Sequence, residues 1–388
     1  MTSHYPASRP RLDALTGARG PAALMVFAQH AGEAGFLPFV LPSSLAVSFF
    51  FVLSGFVLAY AYAEKPAVGL RFYRARFARI WPATMLSTLL VLLILPRNLY
   101  LPQQLGDWST GWVLLMVILM LQSLVPIPDA YFAFNAVTWS ISVEWCFYLL
   151  FPVLNRGLRS RTTLTMVVVA ILGAGLTFIA IKFQLPSFDS ALLDKPTWHG
   201  MVYINPATRL LEFAVGIFAG HLWLNPTWSQ RMNSMFNAAE QFGLRIRATY
   251  LELMILSGLI LALFLSVHIY SVGLGFAAPL QLLLFQWSSA VVLSLIVITL
   301  AIGRGFFSRR VMSHPAMLRL GELSFGIYLF HQPLLNWFNV QKVNNSFHFA
   351  VFEAMPQWSY LPAILAATLI FSAVSHDWLE TPAQRYLK

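Results

Sequence analysis

Charge is scarce in this sequence. Of its 388 residues only 10% are Asp, Glu, Lys or Arg, against about 25% in ordinary soluble domains. Hydrophobic residues make up 58%. That combination excludes a water-soluble globular chain, and it excludes a disordered one, which needs low hydrophobicity and dense charge. Cysteine is almost absent: Cys146 stands alone, so no intrachain disulfide forms and the redox compartment goes unreported. No Walker or dinucleotide glycine loop occurs, so a nucleotide-containing ligand must be held in another way. No His/Cys/Asp cluster has metal-ligand spacing, and no metal is expected. Internal repeats are missing too, which disfavours a secondary transporter, as are low-complexity linkers. The longest polar stretch, Asn225 to Ala248, is too short for a separate soluble domain, so residues 1–388 read as a single membrane-embedded domain.

What the sequence has is apolar blocks, most of them near the roughly 20 residues a spanning helix needs. They cover residues 19–37, 44–63, 82–96, 111–126, 138–154, 163–183, 204–223, 249–268, 284–303, 318–340 and 360–377. The chain therefore reads as an all-α integral membrane protein. The first block carries His30 and Glu33 where a secretory signal would be uninterrupted, so it reads as an uncleaved helix. Basic residues cluster in the N-terminus (Arg9, Arg11, Arg19), in a loop over 64–81 (Lys65, Arg71, Arg74, Arg76, Arg79) and at 155–162 (Arg156, Arg159, Arg161). All three clusters should be cytoplasmic. Three apolar blocks separate the last two clusters where an even number of crossings is required, so a re-entrant or interfacial segment is expected between Trp81 and Val137. The count becomes ten crossings with both termini cytoplasmic, and 20 of the 25 basic residues fall on that side. The net charge of +10 is thus a topology signal, and no nucleic-acid partner is needed.

The polar residues left inside the bilayer are expensive and hence candidates for function. His30 lies eleven residues after Arg19, about 16 Å along a helix, which puts it near mid-membrane if Arg19 marks the cytoplasmic interface. It is either a packing histidine or a base, since imidazole titrates near pH 6.5 and can take a hydroxyl proton. Ser140, Glu144 and Tyr148 share one helix face at i, i+4 and i+8. That face is either a structural hydrogen-bond network or a carboxylate placed to orient and charge-stabilise a histidine. The four arginines between Arg71 and Pro82 either anchor the cytoplasmic face or present guanidinium forks to phosphates. His331 is a further polar insertion, and Pro333 nearby frees helix carbonyls. Arg209 and Glu212, one turn apart, read as a structural pair.

Six motifs in order then carry a resemblance. They are Arg19-x10-His30, Phe49-Phe-Phe-Val-Leu-Ser-Gly-Phe56, Arg76-Phe-Ala-Arg79-Ile-Trp-Pro82, Thr138-Trp-Ser-Ile-Ser-Val-Glu144-Trp-Cys-Phe-Tyr148, Leu323-Ser-Phe-Gly-Ile-Tyr328-Leu-Phe-His331-Gln-Pro333 and Leu379-Glu-Thr-Pro382. From about Arg11 onward the chain resembles acyltransferase family 3, bacterial membrane O-acyltransferases of surface polysaccharides and related acceptors. Two departures stand out: two extra residues in the stretch from Arg11 to Arg19, and Ser48 where an Asp is often found.

The resemblance implies a cytosolic acyl-CoA donor, commonly acetyl-CoA, and a carbohydrate or glycolipid acceptor in a bacterial inner membrane. Arg19, Arg76 and Arg79 would bind the donor's phosphates. His30 would act as base or carry the acyl group transiently, oriented by Glu144. Trp139, Ser142, Tyr148, Tyr328 and His331 would line the site. A macrolide or lipid acceptor is the alternative within this chemistry, and a proton-coupled transporter the alternative class.

Overall fold

A computed structural model describes residues 12–39, 43–64, 69–102, 106–189, 192–228, 230–231, 234, 245–273, 275–343 and 356–386. Arg9, Arg11, Lys65 and Lys388, all counted toward the topology, lie outside the described residues. Among the described residues there is no strand, and every apolar block corresponds to a helix. In chain order these are α1 (Asp13–Glu33), α2 (Ser44–Ala61), α3 (Leu70–Ile94), α4 (Gly106–Ile118), α5 (Trp139–Ser160) and α6 (Thr162–Lys182). They continue with α7 (Pro206–Leu224), α8 (Arg245–Val272), α9 (Ala278–Ile302), α10 (Pro315–Val343) and α11 (Leu361–Ser375). After α11, residues His376–Glu380 and Thr381–Tyr386 carry the helical path to the tail.

Seven of these stretches are long and apolar enough to cross a membrane: α2, α3, α5 with the turn before it, α6, α8 from Ala248, α9, and Trp358–Tyr386. The chain is an integral membrane protein on that ground. Helices α1, α7 and α10 are long enough, but their polar residues dilute them. The fold turns those residues inward: Arg209, Glu212 and His331 are all completely buried. Helix α1 packs most extensively against α10, and α2 against α7. Glycine permits both contacts. A β-carbon on Gly55 would lie 2.2 Å from the Phe213 carbonyl oxygen, and one on Gly321 would lie 1.9 Å from that of Thr16. Neither backbone could approach so closely with a side chain in the way.

One expectation changes here. Residues 71–81 are not a loop: α3 runs unbroken from Leu70 to Ile94, so the arginines are helical and extend an apolar block that looked too short. Between α3 and α5 the chain holds one short helix and an irregular stretch. Helix α4 has 13 residues, about 20 Å of rise against a hydrocarbon core of about 30 Å. Beyond it the chain turns at Met120, whose φ is 54°, and runs irregularly through the protein interior to α5. Irregular backbone buried in a protein needs partners for its polar groups, and side chains supply them. Gln122 Nε2 donates to the Thr138 carbonyl at 3.2 Å, and the Ser123 amide donates to Ser142 Oγ at 3.1 Å. Asn135 Nδ2 donates to the Leu329 carbonyl at 2.9 Å. Leu329 is four residues before Pro333, which has no N–H to give it, so Asn135 fills the vacancy Pro333 creates.

Candidate active site: an arginine cavity and a histidine pair

Helical spacing sorts the four arginines of α3. Arg71 and Arg74 are exposed, whereas Arg76 and Arg79, one turn apart, are half-buried and line a cavity of about 650 Å³. Arg19 enters the same cavity from α1, Ser54 from α2, Ser140, Glu144 and Tyr148 from α5, and Tyr328 from α10. Three guanidinium groups thus share one space with one inner carboxylate. The other acidic lining residues, Asp13 and Glu322, are exposed. Glu144 accepts from Ser54 Oγ at 3.0 Å and from the Tyr148 hydroxyl. The Arg76 guanidinium lies 5.9 Å from the centre of the Tyr148 ring, within cation–π range. The Nε atoms of Arg19 and Arg76 are buried without a hydrogen-bond partner. A buried donor left unpaired costs about 1–3 kcal/mol and more when charged, so these two side chains are incompletely satisfied by the protein itself. Phosphate oxygens match the guanidinium fork.

His30 does not line this cavity. It sits three residues before the end of α1, toward the opposite end of that helix from Arg19. Its ring meets His331 of α10, with Nδ1 of His30 2.9 Å from Nε2 of His331. His30 Nδ1 also lies 3.2 Å from the Val26 carbonyl oxygen, and Nε2 lies 3.9 Å from Glu33. The group that contacts and orients His30 is therefore His331. Glu144 makes its hydrogen bonds to Ser54 and Tyr148 instead, so the expected His30–Glu144 contact is not formed.

Two expected wall residues serve elsewhere. Ser142 is fully buried and holds Ser123 Oγ at 2.7 Å, fastening the irregular segment. Trp139 packs on Tyr203, ring centres 5.1 Å apart. Tyr148 and Tyr328 do face the cavity, the latter with its hydroxyl 2.6 Å from Ser140 Oγ. The expected Arg209–Glu212 pair forms: Nε to carboxylate is 3.0 Å, and both side chains are wholly buried. Ser48 Oγ donates to Glu212 at 2.9 Å and accepts from Arg209 at 3.2 Å. Where Ser48 stands in place of an Asp, the local carboxylate is thus supplied by α7. Sequence reasoning missed Ser54, concealed in an apolar run, and Glu33, noted only as an interruption.

Comparison with known proteins supplies the family. The model of acyltransferase family 3, described as an acyltransferase domain, matches residues 12–376. The chain is 28% identical over 399 aligned residues to "Acyltransferase MdmB" of Streptomyces mycarofaciens, covering 97% of this chain and 92% of that protein. It is also 46% identical over 81 residues to "Protein 2 in picA locus" of Rhizobium radiobacter, covering 20% of this chain and 42% of that protein. No solved structure matches. With nearly its whole length matched, the chain belongs to acyltransferase family 3 and is a membrane-embedded transferase of acyl groups.

Proposed function

We propose that the protein moves an acyl group, in the first instance acetyl, from cytosolic acyl-CoA to a hydroxyl of a cell-envelope or exported carbohydrate at a bacterial inner membrane. The observation that carries this reading is the pairing, on one helix, of an arginine cavity with unpartnered guanidinium nitrogens at one end and a bonded histidine toward the other. Arg19 and His30, eleven residues apart on α1, are separated by about 16 Å of helical rise. A donor with phosphates at one end and a thioester on a long flexible arm suits that separation. Arg19, Arg76 and Arg79 hold the phosphates, and Glu144 with Tyr148 braces Arg76 inside the donor cavity.

In the transfer, His30 takes the proton from the acceptor hydroxyl as its oxygen attacks the thioester carbonyl. The carbon–sulfur bond then breaks, and the departing CoA thiolate recovers the proton from the imidazolium. Ester and free CoA thiol result, with no net proton change. The topology consistent with this division has ten crossings, α4 not crossing, and both termini cytoplasmic. Arg159 donating to the Tyr62 and Ala63 carbonyls at the end of α2 supports that end as the basic face.

Purified protein in liposomes, given acetyl-CoA labelled in the acetyl group and an envelope-glycan extract, is expected to release CoA and leave alkali-labile label on carbohydrate. Label confined to a macrolide or lipid would move the acceptor to that class. Solute movement without CoA release would contradict acyl transfer.

A further inference from the structure

The two histidines form a directed chain in which each proton position is set by a group that can only accept. His331 is completely buried, and its Nδ1 lies 2.9 Å from the carbonyl oxygen of Ile327. A carbonyl has no hydrogen to offer, so Nδ1 of His331 carries the proton and donates. In the neutral ring its Nε2 is then a bare acceptor. That acceptor faces Nδ1 of His30 at 2.9 Å, and the same Nδ1 faces the Val26 carbonyl at 3.2 Å. Two acceptors converge on one nitrogen, so Nδ1 of His30 must carry the hydrogen. The alternative tautomer would set its lone pair against two others.

We infer that His331 is a positioning residue that locks His30 in its Nδ1–H tautomer, so that Nε2 is the nitrogen that takes the hydroxyl proton. The inference rests on the reading of His30 as the base and assigns the atom that performs it. Glu33 completes the arrangement. Its carboxylate lies 3.9 Å from His30 Nε2 and is held by Gln29 Nε2, which donates to it at 2.6 Å. At 3.9 Å Glu33 makes no hydrogen bond to Nε2 and so does not compete with the two closer acceptors at Nδ1, but a proton arriving on Nε2 is near its negative charge, the part first expected of Glu144. The half-exposed position of Glu33, at 48%, marks the side from which an acceptor hydroxyl reaches His30. Rigid support for His331 comes from its own helix: Pro333 leaves the Leu329 carbonyl open, and Asn135 ties it across to the irregular segment at 2.9 Å.

The test combines solid-state nitrogen NMR of histidine-labelled protein in liposomes with two variants. In the unsubstituted protein, His30, assigned by its loss in His30→Gln, is expected to show a protonated Nδ1 and a bare Nε2 at neutral pH. His331→Phe keeps the bulk and removes the acceptor. It should mix the His30 tautomers and lower kcat on the order of 100-fold, the lower range of what a positioned base contributes, with KM for acyl-CoA unchanged. His331→Gln can return an amide oxygen to the place of Nε2, and should restore the Nδ1–H signature and most of kcat. A protonated Nε2 on His30 in the unsubstituted protein would overturn the inference, as would a glutamine variant as impaired as the phenylalanine one. Because the tautomer is read without turnover, these results stand apart from the role of His30: full activity in His30→Gln would sink the base reading while leaving the tautomer measured.

Discussion

Replacing His30 by alanine is expected to lower kcat for acyl transfer by about 10²- to 10⁴-fold, the span a positioned general base contributes, while acyl-CoA binds as before. The separation of the two effects follows from geometry. His30 is absent from the lining of the arginine cavity, and its bonds run to Val26, His331 and Glu33. Removing the imidazole leaves Arg19, Arg76 and Arg79 where they are, so donor affinity is the control that the variant is folded and inserted. Turnover and equilibrium binding of a non-hydrolysable acyl-CoA, measured on the same preparation, check both halves. Near-normal turnover with His30→Ala would remove His30 from the chemistry, and lost binding alongside lost turnover would point to damaged packing instead.

The arginines should show the reverse pattern. A hydrogen bond to a charged group contributes about 1.5–3 kcal/mol, and each 1.4 kcal/mol is tenfold in affinity. Arg76→Ala with Arg79→Ala is therefore expected to weaken acyl-CoA binding about 100-fold or more, with kcat at saturating donor much less affected. Arg71→Ala with Arg74→Ala, on the exposed face of the same helix, is the matched control and should leave affinity within a factor of about two, as surface changes usually do. Glu144→Ala belongs with the cavity pair. It leaves Ser54 and the buried Tyr148 hydroxyl without their acceptor and disturbs the ring under Arg76, so KM for the donor should rise about tenfold, the worth of one such bond. A collapse of kcat at constant KM would instead link Glu144 to His30. Equal losses from the inner and outer arginine pairs would return all four to a topological role.

How far the sequence could be read depended on the range of the interaction that set each feature. Apolar blocks are local, and all eleven became helices. The orphan in the charge count, between Trp81 and Val137, is where the structure has the short α4 and its irregular continuation. The arginines of α3 read as a loop because charge masked helical continuity, and the resemblance, not their spacing, set 76 and 79 apart from 71 and 74. Partners across helices were beyond reach. Glu144 and His30 are both ionisable and both interrupt apolar blocks, which made them an obvious pair, yet His30 finds His331, 301 residues away. The resemblance puts Ser142 on the wall of the site, but the turn of α5 points it at Ser123, on a segment whose path no periodicity describes. The Ser54–Glu144 bond was concealed because a lone hydroxyl in an apolar run gives no period of its own.

A structure of the protein in lipid with CoA bound tests the central claim most directly. The account predicts the CoA phosphates on Arg19, Arg76 and Arg79, with the pantetheine arm extended along α1 and its sulfur directed toward His30 Nε2. Phosphates bound away from those three arginines, or a sulfur directed away from His30, would contradict it.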